Sequence, residues 1–372
     1  MFENLNIPSE LIPSDPRFGS GPSLIPTQFV DRLRETGPNL LGTSHRKPPV
    51  KNLVKGIKDG LREYFNVPDN YTIAVGNGGA TFLWDMISLG MVRKRAYHFT
   101  AGEFGEKWFK ASQLVPWIET DRQSVDYGQG VTPKNIPDRD LIACTLNETS
   151  TGVQIDSLPD VGSDTLLCVD ATSGAGQCPC DVSKTDIFYF SPQKVFASEG
   201  GFFVAILSPK ALKRANEINE DPSRYIPAIM NWKTCLDNSS KDQTYNSPSI
   251  STLFFLNEQM KQLNKIGYEG VIEQSRKKAD LVYGWAKEKK YLSPFVKESR
   301  YQSYSVATID VDDKIDVNAL AKKLGDDKIV YGIEAYRKLG RNQLRIALFQ
   351  NILFEDLEKL TKLLSRAIEP EL

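Results

Sequence analysis

The feature that most constrains this chain is a recurrence between residues 50 and 207 of short apolar runs separated by helical stretches or glycine turns. Strands are expected at YTIAV, AYHFT, DLIACTL, TLLCVD, DIFYF and GFFVAIL, and helices at VKNLVKGIKDGLREYF and ATFLWDMISLGM. Runs such as TLLCV lack apolar–polar alternation, so both faces of the strand must be covered. Strands that alternate with helices and are buried on both sides imply β-α-β units and a mostly parallel sheet. The expected fold class is α/β.

Around this region the texture differs. The segment FGSGPSLIP reads as an irregular arm that leads into a helix near Thr27 to Glu35. From about residue 250 the chain turns to a long helix, STLFFLNEQMKQLNKIG, and charged helical sequence up to Lys290. It ends in an α+β pattern with strands at SYSVATIDV and QLRIALF and a closing helix, FEDLEKLTKLLSRAIE. The expected organisation is a large domain over residues 16–258, a smaller C-terminal domain over 259–372, and an N-terminal arm over 1–15. A net charge of −1 removes any overall attraction to nucleic acid or an anionic membrane, so anions must be held by a few local cations. No apolar run has the length a membrane helix needs, and the first fifteen residues lack the basic start and apolar core of a signal peptide. Five scattered cysteines suggest reduced thiols and a cytoplasmic setting. With two histidines in the chain and no second cysteine pair beside Cys178 and Cys180, no metal site is expected.

Four pieces carry chemistry. Lys194 lies in a short turn between DIFYF and GFFVAIL, where burial disfavours its charged form. Asp170 closes TLLCVD, and residues just past the carboxyl ends of parallel strands line the ligand crevice. Taken singly, a turn aspartate and a surface lysine are ordinary features. Together, an amine and a carboxylate at one crevice suit pyridoxal phosphate, which needs a Schiff-base lysine and an acid facing its pyridine nitrogen. The third piece, VGNGGATFLW, runs strand, glycine turn, helix, so amides around Gly78, Gly79, Ala80 and Thr81 would converge on a phosphate. Its G-x-G-G spacing is not the dinucleotide G-x-G-x-x-G, and AYHFT ends without the acid that would bind a ribose. The fourth is AYRKLGRNQLRIALFQ, in which Gly340 and Asn342 argue against a continuous helix and Arg345 falls within an apolar strand, suited to gripping a carboxylate. His45 and Arg46 in TSHRKPP add a second cation cluster.

The ordered set GSGPSLIP, SHR, GNGGAT, NET, VDATS, SPQK with EGG, YNSPS and LRIALFQN resembles the phosphoserine aminotransferases, fold-type-I enzymes of the class V aminotransferase group, over roughly Gly19 to Gln350. The likeness is strongest to the actinobacterial form. It implies a seven-stranded, mostly parallel sheet sandwiched by helices, plus the smaller C-terminal domain. It also implies pyridoxal 5'-phosphate as cofactor, a homodimer with shared active sites, and no metal, nucleic acid or membrane partner. The reaction implied is transfer of the amino group of L-glutamate to 3-phosphohydroxypyruvate in serine biosynthesis, with a related role in pyridoxine biosynthesis. An alanine or serine:glyoxylate-type aminotransferase of the same fold is the alternative. By this resemblance Lys194 is the Schiff-base lysine, Asp170 the partner of the ring nitrogen, and Thr149 a contact of the ring hydroxyl region. Gly79, Ala80, Thr81 and Gln193 hold the cofactor phosphate, and Asn246 and Ser247 reach the neighbouring subunit's phosphate. Arg345 takes the substrate α-carboxylate; Arg337, with His45 and Arg46 from the partner subunit, takes the substrate phosphate. Departures are Phe104 where a tryptophan often stacks on the ring, with Trp108 near; Tyr336 in place of a histidine; two extra residues between Arg337 and Arg345; and Ser247 in place of threonine.

Overall fold

The computed structural model describes Phe2 and residues 5–372; Met1, Glu3 and Asn4, part of the expected arm, lie outside the described residues. Twelve strands are described: β1 (Thr72–Asn77), β2 (Arg95–Thr100), β3 (Glu119–Ser124), β4 (Leu141–Thr145), β5 (Asn147–Glu148), β6 (Val153–Gln154), β7 (Leu166–Asp170), β8 (Ile187–Phe190), β9 (Phe202–Leu207), β10 (Leu292–Pro294), β11 (Val306–Val311) and β12 (Gln343–Ala347). The α-helices are α1 (Thr27–Thr36), α2 (Pro48–Tyr64), α3 (Gly79–Met91), α4 (Glu103–Gln113), α5 (Pro209–Asn219), α6 (Trp232–Ser239), α7 (Ile250–Ile266), α8 (Tyr268–Glu288), α9 (Val317–Asp326) and α10 (Phe354–Ile368).

Seven strands form the main sheet in the order β1-β9-β8-β7-β4-β2-β3. β8, β7, β4, β2 and β3 pair in parallel, while β9 pairs antiparallel with both β8 and β1. Six strands therefore share one direction, and their carboxyl ends meet at the edge where the reversed β9 begins. Period-two alternation decides which residue faces which helical layer. Leu167, Val169, Phe188 and Phe190 join Val54, Ile57 and Leu61 of α2 and Leu256 of α7 in one core. Leu166, Cys168, Ile187 and Tyr189 join Leu83 and Trp84 of α3, Trp108 of α4 and Trp232 of α6 in the other. With every residue of β4, β7, β8 and β9 buried, these strands read as unbroken apolar runs because neither face meets water.

The C-terminal part builds a second, three-stranded antiparallel sheet in the order β10-β11-β12. The N-terminal segment is stitched to it: Phe18 N–H donates to the Tyr331 carbonyl at 3.0 Å, and Ala347 N–H to the Phe18 carbonyl at 3.1 Å. The long helix expected from Ser251 is α7, and the charged helical sequence after it, up to Lys290, is a second helix, α8. The break is Gly267, whose φ of 79° is left-handed and ends α7.

Candidate active site

At the carboxyl end of β1 the chain turns through Gly78 and Gly79, with φ of 124° and 74°, into α3. A Cβ on Gly78 would lie 2.5 Å from the Phe82 ring, so sterics as well as φ require glycine. Among the described residues no side chain caps the start of α3, which leaves the amides of Gly79, Ala80 and Thr81 without a side-chain acceptor. Thr81 is exposed and Ala80 half-buried. Gly78 N–H donates to the Gly201 carbonyl at 2.9 Å, tying this turn to the segment that follows Lys194.

Asp170, at the end of β7, is buried without a cation among its hydrogen-bond partners. Its Oδ1 accepts from Thr172 N–H at 3.0 Å and the Thr172 hydroxyl at 2.6 Å, and its Oδ2 from Trp84 Nε1 at 3.1 Å. Lys194 follows β8, and its Nζ donates to the Ser20 carbonyl at 2.6 Å. Burial, and secondarily the positive charge of Arg345, push this amine down to about 8, so a usable fraction is neutral near physiological pH. The expected arm motif GSGPS is what meets this lysine. Ser23 N–H donates to the Gln193 carbonyl at 2.8 Å, and a Cβ on Gly21 would fall 1.7 Å from Nζ. Gln193 keeps a buried Oε1 without a partner.

Arg345 comes from β12, so the C-terminal sheet delivers it. Its guanidinium donates to the Thr149 carbonyl at 3.3 Å and lies 5.3 Å from the centre of the Tyr336 ring, while its Nε is buried without a partner. A half-buried guanidinium with a donor to spare is ready for a carboxylate. Phe104, at the start of α4, packs against Tyr336 with ring centres 6.2 Å apart. Trp108, one turn further on, is almost fully buried, edge-on to His98 and Tyr189, whereas Phe104 is only partly buried.

Two residues without an expected role are built into the site. Glu148 of the NET motif accepts from Gly105 N–H at 2.6 Å, Phe104 N–H at 3.3 Å and the Ser150 hydroxyl at 3.0 Å. It thereby caps α4 and fixes Phe104; burial nevertheless pushes its carboxyl up to about 7. Trp84 is the other, through its bond to Asp170.

His45, Arg46, Asn246 and Ser247 form a separate group. The Ser247 hydroxyl and His45 Nδ1 are 3.3 Å apart, and burial together with the adjacent Arg46 lowers the imidazole's affinity for a proton. Asn77 Nδ2 anchors their loop by donating to the Asn246 carbonyl at 2.9 Å and the Ser247 carbonyl at 3.1 Å. The side chains of Arg46, Asn246 and Ser247 are exposed. Arg337 is exposed in a short 3-10 turn just before the left-handed Gly340, as expected from the break in helical pattern. Arg341 is drawn away into a bidentate pair with Asp310 at 3.0 and 2.8 Å.

The class-V aminotransferase family model matches residues 18–332. Phosphoserine aminotransferase of Corynebacterium glutamicum is 43% identical over 95% of both chains. That of a Nocardioides species is 42% identical over 97% of this chain and 98% of its own. The chain belongs to the phosphoserine aminotransferase family, within class V. Solved structures agree on the fold of this family member. A phosphoserine aminotransferase from Cytophaga hutchinsonii superposes with a TM-score of 0.87 over 94% of this chain and 98% of that one, at 24% identity. An alanine–glyoxylate aminotransferase from Nostoc reaches 0.80 over 98% of each chain at 18% identity, so fold alone does not select a substrate.

The family implies pyridoxal phosphate, and the residues present fit it. The uncapped start of α3 suits a phosphate, Lys194 offers a buried amine of lowered basicity, and Asp170 offers a buried carboxylate held by three donors. Among the described residues no group of histidine, cysteine and carboxylate side chains could hold a metal ion, and no helix is long and apolar enough to cross a membrane.

Proposed function

We propose that this protein transfers the amino group of L-glutamate to 3-phosphohydroxypyruvate, giving O-phospho-L-serine and 2-oxoglutarate, with pyridoxal phosphate attached at Lys194. The observation that carries the reading is the meeting of a buried lysine with the free guanidinium donor of Arg345, in a chain about 43% identical to phosphoserine aminotransferases. Bound there, pyridoxal phosphate supplies an electron sink for the pair left on the substrate's Cα. Asp170 would face the ring nitrogen, and Gly79, Ala80, Thr81 and Gln193 would hold the phosphate. Phe104 would lie against the ring and Thr149 would contact its hydroxyl side. Lys194 Nζ, free as a neutral amine while substrate occupies the site, would take the proton from Cα of the amino donor and in the return half-reaction give one back to Cα of the new amino acid. Arg345 binds the α-carboxylate that both substrates share.

The side-chain end of the substrate changes from carboxylate to phosphate between half-reactions, so it needs cations that accept either anion. Arg337 supplies one. His45 and Arg46, beside Asn246 and Ser247, complete the site of a second copy in a homodimer. Mixing Lys194→Ala protein with Arg46→Ala protein tests this: a heterodimer regains one intact site, whereas sites built within one chain give no recovery. The direct assay is phosphoserine formation, run beside alanine, serine and glyoxylate. Arg46→Ala is expected to depress turnover of the phosphorylated substrate at least about tenfold more than that of glyoxylate, since it removes a charge-assisted contact with a phosphate. Equal losses would favour the glyoxylate-type alternative. The free state of all five cysteines is compatible with a cytoplasmic setting, and the phosphorylated keto acid of pyridoxine biosynthesis belongs in the same substrate panel.

A further inference from the structure

The helix whose start faces the phosphate position also reaches Asp170. Gly79, Ala80 and Thr81 open α3, and one turn later Trp84 turns its indole N–H onto Asp170 Oδ2 at 3.1 Å. The other carboxylate oxygen is held by Thr172 through both its amide and its hydroxyl. A carboxylate has roughly four lone-pair sites, so three donors leave one for a ring nitrogen. Trp84 is nearly fully buried, so its N–H has no solvent to exchange for this partner, and Asp170 has none to replace the lost donor. The phenol of Tyr189 is fully buried close to both Asp170 and the Trp84 indole, but out of hydrogen-bonding geometry with either, so the carboxylate's donors are the indole and Thr172.

We propose that Trp84 is a positioning residue for the cofactor ring: by clamping Asp170 Oδ2 from the helix that also presents the phosphate-binding amides, it fixes the distance and angle between the phosphate site and the carboxylate that faces the ring nitrogen. This rests on the pyridoxal phosphate reading above. Two ends of one ligand are thus referred to one rigid element, and Asp170 cannot rotate without breaking a buried bond.

The test compares Trp84→Phe with Trp232→Phe. Trp232 is a buried tryptophan of the same core layer whose N–H is spent on the Met86 carbonyl of α3 at 3.1 Å, so it controls for the loss of an indole without touching Asp170. Apoprotein is titrated with pyridoxal phosphate, and the visible band of the loaded protein is followed against pH. Trp84→Phe is expected to weaken cofactor binding about 10- to 100-fold, the range for a lost hydrogen bond to a buried charge. It should also move the pH midpoint of the band and lower kcat with little change in KM. Trp232→Phe should lose thermal stability and leave all three unchanged. Should Trp84→Phe fail to fold, β-(3-benzothienyl)alanine at position 84 keeps the bicyclic shape, lacks the N–H, and must show the same changes. Wild-type protein that takes up no pyridoxal phosphate would overturn both this assignment and the reading it rests on. Normal wild-type uptake, with Trp84→Phe matching it in affinity and band midpoint, would overturn the assignment alone.

Discussion

Lys194 should destabilise the fold that depends on it for activity, and the amount follows from its surroundings. Its amine is held at about 8 against an ordinary 10.5, chiefly by burial and then by the charge of Arg345. That gap corresponds to about 3 kcal/mol. Below pH 8 both folded and unfolded chains carry the proton, and the folded state bears the whole cost of a buried ammonium. Between 8 and 10.5 the folded chain has released a proton that the unfolded chain still holds, so stability rises with pH until the cost is gone. Lys194→Met keeps most of the side-chain volume and removes the charge, at the expense of the bond to the Ser20 carbonyl, worth about 1 kcal/mol. The cofactor-free variant should therefore be about 2 kcal/mol more stable than cofactor-free wild type at pH 7, an advantage that shrinks to roughly zero near pH 10. Urea unfolding of both proteins across that range measures it, and other titrating groups cancel in the difference. A difference that stays constant with pH, or a methionine variant less stable at pH 7, would refute the account of a desolvated amine.

Arg345→Lys replaces a planar fork with a point charge. Because the α-carboxylate is common to both substrates, kcat/KM should fall about 100-fold for glutamate and for the keto acid alike, and a loss confined to one would displace Arg345 from that role. Glu148→Ala leaves two amides and a hydroxyl without their acceptor and should cost about 2–4 kcal/mol in urea unfolding, with Glu148→Gln costing less. Since burial holds the Glu148 carboxyl near 7 instead of 4.5, folding takes up a proton between those values, and wild-type stability declines as pH rises through that window. Glu148→Gln should flatten that decline.

How much of this was readable from the chain depended on how local the cause was. Asp170 and Lys194 are legible because one ends and the other follows a strand buried on both faces, whose apolar run needs no knowledge of its neighbours. β3, whose sequence is ETDRQS, gave no such signal: it is an edge strand whose side chains stay largely in water, and only its pairing with β2 makes it a strand. Glu148 sits inside the NET motif, yet its task of capping α4 depends on a helix that begins 45 residues earlier, at Glu103. Trp84 reads as core, which it also is; the direction of its N–H is a tertiary fact. The meeting of His45 with Ser247 spans 202 positions of sequence.

The turn that carries Lys194 shows why the N-terminal arm and the reversed strand belong to the chemistry. Ala197 in that turn has a φ of 44°, a conformation that costs a residue with a Cβ about 1 kcal/mol or more, so it persists only if its surroundings hold it. They do so from three directions. Ala197 N–H donates to the Lys194 carbonyl at 3.0 Å, closing the turn on itself. The Ser198 hydroxyl donates to the Thr252 carbonyl on α7 at 2.7 Å, and Ser23 N–H reaches the Gln193 carbonyl from the arm at 2.8 Å. A parallel crossover after β8 would carry the chain away from this edge through a helix. The antiparallel β9 instead returns it at once, so Gly201 can accept from Gly78 at the start of the phosphate turn. The lysine and the phosphate-binding amides are thereby referred to one pair of sheet strands, β9 and β1. The arm closes the turn from the opposite side while its own Phe18 carbonyl accepts from Ala347 of β12, the strand of the C-terminal sheet that bears Arg345, and Arg17 pairs with Tyr331. Movement of that sheet relative to the main one must therefore be felt by the arm that contacts Lys194.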